Sequence, residues 1–305
     1  MSGIKVCFLG TSASTPSKDR NLSSTLLNFN GSNFLFDCSE GTQRQIMNSN
    51  HSFMKVDYIF LSHFHGDHIL GLPGLLATMT MQERQKELYI AGPRGIGAKI
   101  KSALWLSGFT PTFPLKIVEV SGKKVLLKAN NFKMTAFPLR HDTPCFGYVF
   151  EEQRPEGKFV REKAVKLGIP EGRMWGELQQ GKSVKFEGKA FKPEMVLDYS
   201  KAKKGKKIAV IMDTLPKYSL AEIKDCDLIV HEACFSSKFE DRAKQTRHST
   251  AAQAAGIAKK TGAKRLMLTH ISTRHHQKEI EELEKEAQAV FPNSKVAKDL
   301  EEIEV

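Results

Sequence analysis

Between residues 62 and 71 the chain reads SHFHGDHILG, which puts His63, His65, Asp67 and His68 within six positions, in a glycine-containing turn. Neutral imidazole and carboxylate are the ligands suited to zinc or another borderline divalent ion. A polar loop with surface histidines has no reason to repeat the pattern His-X-His-X-Asp-His. Further along, single metal-capable residues close apolar runs: His141, Asp213 after IAVIM, and His270. Each is read first as a ligand, against a blander alternative: His141 as a turn histidine, Asp213 as a helix cap before Thr214 and Leu215, and His270 as a buried structural histidine. Together the seven suit two metals that share one carboxylate. Two such ions, about 3.5–4 Å apart, polarise a water and clamp an attacked phosphate, so the chemistry is hydrolysis.

A further layer comes from His231, Glu232 and His248. A histidine outside the metal ligands but paired with a carboxylate suits protonation of a leaving alkoxide. Glu232 is placed to orient His248 and keep it charged. Ser249 and Thr250 also look like a helix start, so capping by this segment is compatible with the same role.

These side chains need rigid roots. The run at 56–61 predicts a buried strand that ends at Ser62, directly before the histidine turn. Strands are expected at 4–9, 25–29, 33–36, 88–91, 117–120, 123–128, 131–137, 145–151, 208–212, 228–230 and 265–268. The Asn30-Gly31 pair predicts a two-residue hairpin turn. Helices are expected at 40–47, 74–85, 96–107, 250–261 and 278–290. Neighbouring strand ends lie about 4.8 Å apart, so ligands on several ends can meet at one sheet edge. The cluster GPRGIG at 92–97 is a strand-to-helix turn, and the absence of simple βα alternation argues against a dinucleotide fold.

The segment 152–197 differs in character. It is rich in charge, Gly and Pro, with GIPEGRMWG at 168–176, and little apolar sequence to build a core of its own. It reads as an insertion with one helix near 160–167, after which the body resumes at 194–199. The chain has 305 residues, enough for one large domain or two modest ones. Its 46 Lys and Arg against 34 Asp and Glu, formally +12, favour a polyanionic partner such as nucleic acid. No signal peptide or membrane span is evident, and five cysteines without C-X-X-C spacing predict buried thiols in a reducing, cytoplasmic setting.

The motif SHFHGDHILGLPG (62–74) resembles the zinc-dependent metallo-β-lactamase superfamily. LGTSASTP (9–16), RNLSS (20–24), DCSEGTQRQ (37–45), HEACF (231–235), RHST (247–250) and LTHIS (268–272) narrow the resemblance to the ribonuclease Z family, over nearly the whole chain. The resemblance implies an α+β fold, a four-layer αβ/βα sandwich of the metallo-β-lactamase type, as a single domain over 1–305 with a protruding arm at about 152–192. It implies two zinc ions per chain, with manganese or iron also accepted: one on His63, His65 and His141, the other on Asp67, His68 and His270, with Asp213 bridging. Asp67 would help activate the attacking water. His248, assisted by Glu232, would protonate the departing 3′ oxygen.

The implied activity removes the 3′ trailer of precursor tRNA, leaving a tRNA 3′-hydroxyl and a trailer 5′-phosphate, in a homodimer whose arm grips the tRNA elbow. On that arm Lys163, Lys166 and Arg173 are the substrate-binding candidates, although Arg173 stands where the family usually has Pro. Trp175 reads better as packing than as a base platform, and Lys201, Lys203, Lys204, Lys206 and Lys207 as a solvated turn. The family commonly has Gly at Ser39, Thr at Cys234 and Tyr at His275, and none of these changes removes a ligand. The alternative is a phosphodiesterase of the same superfamily acting on small diesters or cyclic nucleotides. A vestigial RNA-binding module is disfavoured because no ligand is missing, and glyoxalase or lactamase chemistry because neither calls for the His248–Glu232 pair or the arm.

Overall fold

The computed structural model describes residues 3–153, 157–179, 182–198, 200 and 205–305. The chain divides into two compact units: one comprises residues 1–126, 134–150 and 207–305, the other Leu127–Lys133 and Glu151–Lys206.

Two seven-stranded sheets carry the fold. The first has the order Glu302–Glu304, Lys5–Gly10, Ser24–Phe29, Ser32–Phe36, Val56–Phe60, Leu88–Pro93, Leu115–Val120. The second runs Ser294–Val296, Leu266–Thr269, Leu228–Glu232, Lys207–Ile211, Phe146–Glu152, Phe132–Pro138, Lys124–Lys128. Side-chain alternation sorts each strand between two layers. Leu35, Ile59 and Ile90 face a core shared with the helices Leu72–Met81 and Ile96–Ser107. Their neighbours Phe34, Phe36 and Phe60 face the other way and meet Tyr148 and Phe150 of the second sheet, with ring centroids 5.2–6.1 Å apart. On the far side of that sheet, Ile211, Ile229 and Leu268 pack on Ala254, Ala258, Leu283 and Ala287 of the helices Ala251–Lys260 and Gln277–Val290. Helix, sheet, sheet and helix therefore form the four-layer sandwich expected of an α+β chain.

Turn chemistry follows the sequence closely. Asn30 and Gly31 both adopt left-handed φ, 51° and 82°, which the predicted hairpin turn requires. The stretch after the histidine turn is shorter and more broken than the expected 74–85 helix. A single turn, Gly66–Ile69, is followed by Leu72–Met81, started by a proline in its first turn and ended before Glu83, whose φ is 53°. All five cysteines are buried and none forms a disulfide. Among the described residues no helix is long and apolar enough to cross a membrane.

The smaller unit corrects the expectation that this segment lacks a core. Ala164, Ile169, Leu178, Val184, Phe191, Val196 and Leu197 are buried together, flanked by Phe159 and Trp175. Besides the anticipated helix, at Arg161–Lys166, it holds a second at Arg173–Gln179 and a hairpin of Val184–Phe186 with Lys189–Phe191. The Leu197–Asp198 strand pairs with Lys158–Phe159 within this unit, so 194–198 closes it and does not begin the larger one. Trp175 packs: its indole N–H donates to the Ile169 carbonyl at 2.9 Å, and its ring lies 5.2 Å from that of Phe159.

Candidate metal centre and active site

Parallel pairing brings the chemistry to one edge. Lys207–Ile211, Leu228–Glu232 and Leu266–Thr269 run side by side, with Ile211 opposite His231 and Glu232 opposite Thr269. Asp213, Glu232 and His270 therefore emerge at the same end. In the other sheet Ser32–Phe36 is parallel to Val56–Phe60, so Asp37 and the 62–68 turn emerge together. The Phe146 amide donates to the Ser62 carbonyl at 3.0 Å and ties the two edges. His141 is fixed by a reciprocal clamp: its Nδ1 donates to the Arg247 carbonyl at 3.1 Å, and the Arg247 guanidinium donates to the His141 carbonyl at 2.8 Å.

All seven expected ligands converge. His63, His65, His141 and Asp213 present donor atoms within 4.8 Å of one another, and so do Asp67, His68 and His270. Asp213 lies between the groups. Its Oδ2 is 3.6 Å from His63 Nε2 and 3.8 Å from His141 Nε2, while its Oδ1 is 3.4 Å from His68 Nε2 and 3.2 Å from His270 Nε2. Asp67 Oδ2 sits 3.5 Å from both His68 and His270. Asp213 caps no helix.

The ring nitrogens turned away from the cluster are held by oxygen. His68 Nδ1 donates to Asp37 Oδ2 at 2.7 Å. The Ser62 hydroxyl donates to the same oxygen at 2.8 Å, so its own oxygen is left to accept from His63 Nδ1 at 2.9 Å. These bonds leave Nε2 of each ring as an inward lone pair. His68 Nε2, Asp213 Oδ1 and His270 Nε2 are buried and make no hydrogen bond. Burying such groups unpaired costs about 1–3 kcal/mol each, and a divalent cation is the partner this donor set fits. Burial raises the Asp213 carboxyl, but the His270 and His68 charges outweigh it and hold the pKa well below the usual range. For Asp67 burial is likewise outweighed, by the His270 and His68 imidazoles 3.5 Å away. Burial, helped by His68, keeps His63 neutral. Burial lowers the His68 pKa, but the Asp213 and Asp37 charges outweigh it and raise it well above the ordinary value, so His68 would release a proton to ligate. Ionised carboxylates and neutral imidazoles are the ligating forms.

His248 lies just outside this cluster, its ring 5.4 Å from those of His141 and His270. Its Nδ1 donates to Glu232 Oε1 at 3.2 Å. Burial lowers the His248 pKa, but the charge and hydrogen bond of Glu232 outweigh it and lift it to about 9. Glu232 is fully buried and also accepts the Thr214 and Ser249 amides on Oε1 and the Cys234 amide on Oε2. The helix cap belongs to Thr250, which exchanges hydrogen bonds with Gln253. His231 points elsewhere, with Nε2 2.7 Å from the Tyr218 hydroxyl.

The motif 9–16 also touches the site: the Ser14 amide donates to Asp67 Oδ2 at 2.9 Å. A partly buried polar net secures that loop, with Thr11 and the Asn21 amide donating to Asp299 at 2.6 Å and Arg20 to Thr11 at 2.6 Å. Two carboxylates at the centre were not anticipated. Asp37 holds His68, and Asp142 Oδ1 lies 3.1 Å from His141 Nε2 and 3.5 Å from His65 Nε2. Asp37 ends an apolar run just as Asp213 does, a signal the sequence offered. On the smaller unit Lys163, Lys166 and Arg173 are exposed, Arg173 bonded to Glu177 at 2.9 Å. Lys201, Lys203 and Lys204 lie outside the described residues.

The sandwich matches that of the metallo-β-lactamase fold protein YhfI from Bacillus subtilis, with a TM-score of 0.70 and 19% identity over the whole of both chains. Fold and site together define a metal-binding hydrolase of the metallo-β-lactamase fold. Ribonuclease Z of Haloarcula marismortui is 43% identical over 274 residues, 89% of this chain and 87% of its own. The short form of human tRNase Z superposes with a TM-score of 0.72 at 27% identity over 99% of each chain. Residues 4–110 match the family described as Anti-Pycsar protein Apyc1. The chain belongs to the ribonuclease Z family.

Proposed function

We propose that this chain removes the 3′ trailer of precursor tRNA as a two-zinc endoribonuclease, leaving a 3′-hydroxyl on the tRNA and a 5′-phosphate on the trailer. Family membership supplies the substrate and the phosphodiester hydrolysis. The division of Asp213's two oxygens between two sets of donors carries the mechanism. His63, His65 and His141 would hold one zinc and Asp67, His68 and His270 the other, with Asp213 shared between them; manganese or iron would substitute. Bound ions lower the pKa of a water and neutralise phosphate charge.

The chain's own groups do the rest. Asp67, held by the Ser14 amide, helps orient and activate the attacking water. His248, charged at neutral pH, gives its proton to the departing 3′ oxygen, and Glu232 sets its ring and stabilises its charge. The smaller unit serves as the tRNA-gripping arm, with Lys163, Lys166 and Arg173 meeting phosphates; phosphate contacts position the RNA and its folded shape selects it. The working form is a cytoplasmic homodimer.

The test is cleavage of a 3′-extended precursor tRNA, with both new ends mapped, beside a small phosphodiester. Replacing residues 157–198 by a short linker is expected to cripple precursor cleavage and spare the small substrate. Equal loss of both would remove the arm's role. Hydrolysis of the small diester with intact precursor tRNA would favour a phosphodiesterase of small substrates.

A further inference from the structure

We propose that Cys234, His248 and His270 form a second, inhibitory metal site that takes a thiophilic divalent cation such as cadmium. One donor atom from each lies within 4.8 Å of the others. All three residues are buried: Cys234 is 3%, His248 8% and His270 0% exposed. A sulfur and two imidazole nitrogens make a softer set than the nitrogen and carboxylate oxygen ligands of the catalytic cluster. Softness is what sorts cations of equal charge between neighbouring sites.

A second observation points to the same place. His63, His68 and His141 each have an oxygen opposite the ring nitrogen turned away from the catalytic cluster. His270 does not. Its Nδ1 is buried with no hydrogen-bond partner, as is its Nε2, among the described residues. A ring nitrogen left in this way, with a thiol and a second imidazole in its neighbourhood, is a donor without an assigned use.

Occupation has a defined consequence. On binding, the Cys234 thiol releases its proton to solvent and a sulfur–cation bond forms, so no oxidant or reductant is involved. His270 belongs to both donor sets. An imidazole that keeps a proton on one nitrogen offers a lone pair only on the other, so the soft cation competes with the Asp67, His68 and His270 group. The same cation takes the lone pair of His248, which then carries no proton for the leaving oxygen. Inhibition follows from both losses. This consequence rests on the proposed roles of His248 and His270; the existence of the site does not.

The experiment titrates the zinc-loaded enzyme with cadmium chloride and reads two signals, thiolate-to-cadmium ultraviolet absorption and precursor tRNA cleavage. Wild type, Cys234→Ala, Cys234→Thr and Cys145→Ala are compared, because Cys145 Sγ is also near a ligand, 3.9 Å from His63 Nδ1. The expected result is absorption and inhibition in wild type and Cys145→Ala, both lost in Cys234→Ala, with cleavage in the absence of cadmium near wild type. The cadmium needed for half-inhibition should rise about tenfold or more, the scale on which even indirect partners of a metal ligand act. Cys234→Thr fills a similar volume with a hydroxyl in place of the thiol, and gives the same reading should the alanine variant fold poorly. Unchanged absorption in both Cys234 variants, or its loss in Cys145→Ala alone, overturns the proposal. The absorption arm decides this even for an enzyme that leaves precursor tRNA uncut.

Discussion

Replacing Asp37 by Asn alters a single terminal group and leaves the backbone free to keep its shape. Asp37 has φ 57°, in the left-handed region that Asn tolerates well. Its Oδ1 accepts the Ser62 amide at 2.7 Å, and its Oδ2 accepts both the Ser62 hydroxyl at 2.8 Å and His68 Nδ1 at 2.7 Å. The amide of Asn has only one acceptor oxygen. Turned toward His68, it sets its NH2 against the Ser62 amide. Turned the other way, it faces His68 Nδ1 with a donor, and the imidazole proton must move to Nε2, where the metal lone pair is required.

Each orientation leaves a buried donor unpaired, which costs about 1–3 kcal/mol. Metal affinity should fall about 10–100-fold, the usual effect of losing the group that orients a ligating histidine. Competition against a chelating dye measures that affinity, and cleavage followed against added metal shows whether excess metal restores the rate. Wild-type affinity together with a wild-type rate at limiting metal would refute the reasoning, because Asp37 would then be holding the loop and nothing more.

Removing the His248 imidazole, as His248→Ala, should lower precursor cleavage by about 10²–10⁴ while metal per chain is unchanged; loss of metal along with rate would place His248 among the ligands. The pH profile has a definite sign. His248 acts protonated, and Glu232 lifts its pKa to about 9, so kcat/KM should hold below that value and fall as pH rises through it. In Glu232→Gln the limb should move down toward the ordinary histidine value, and a limb left in place would detach Glu232 from the proton. Leu178→Ala, at a fully buried position of the smaller unit, should cost about 2–5 kcal/mol of that unit's stability. Limited proteolysis within residues 157–198 should accelerate, and precursor cleavage should fall while small-diester hydrolysis holds.

What could be read from the sequence was local and contiguous. The turn after Val56–Phe60 carries its ligands within one loop, so strand end and ligand spacing were visible together. His141, Asp213 and His270 were visible because each ends an apolar run. Partners that act through another residue were harder to see, since nothing in a linear pattern says which nitrogen a carboxylate faces. His231 and Glu232 show the point. Consecutive strand residues face opposite sides, so only one of the two can look into the site. Their order could not say which, and the structure turns Glu232 inward and His231 toward Tyr218. The small core of the arm was missed for a related reason: its apolar residues are spaced irregularly over 164–197 and follow no single helical or strand period.

Four residues near the centre share a backbone conformation that L side chains seldom adopt. Ser14, Asp37, Arg247 and His270 have φ of 56°, 57°, 58° and 57°. The chain must reverse sharply at these points, and glycine would do so without the left-handed penalty of about 1–2 kcal/mol. At His270 the side chain faces the cluster, at Asp37 it holds His68, and at Arg247 it clamps His141, so the strain persists where the side chain is needed. Ser14 is the exception, because what reaches Asp67 is its backbone amide. Ser14→Gly therefore relieves the strain and keeps the contact, while the added freedom of the unfolded glycine costs about 0.5–1 kcal/mol. The two effects nearly cancel. Melting temperature, metal content and cleavage should stay close to wild type in Ser14→Gly, whereas His270→Gly should lose metal. A Ser14→Gly variant that binds metal weakly would show that the hydroxyl matters, and that the strain at residue 14 is kept for its side chain as well.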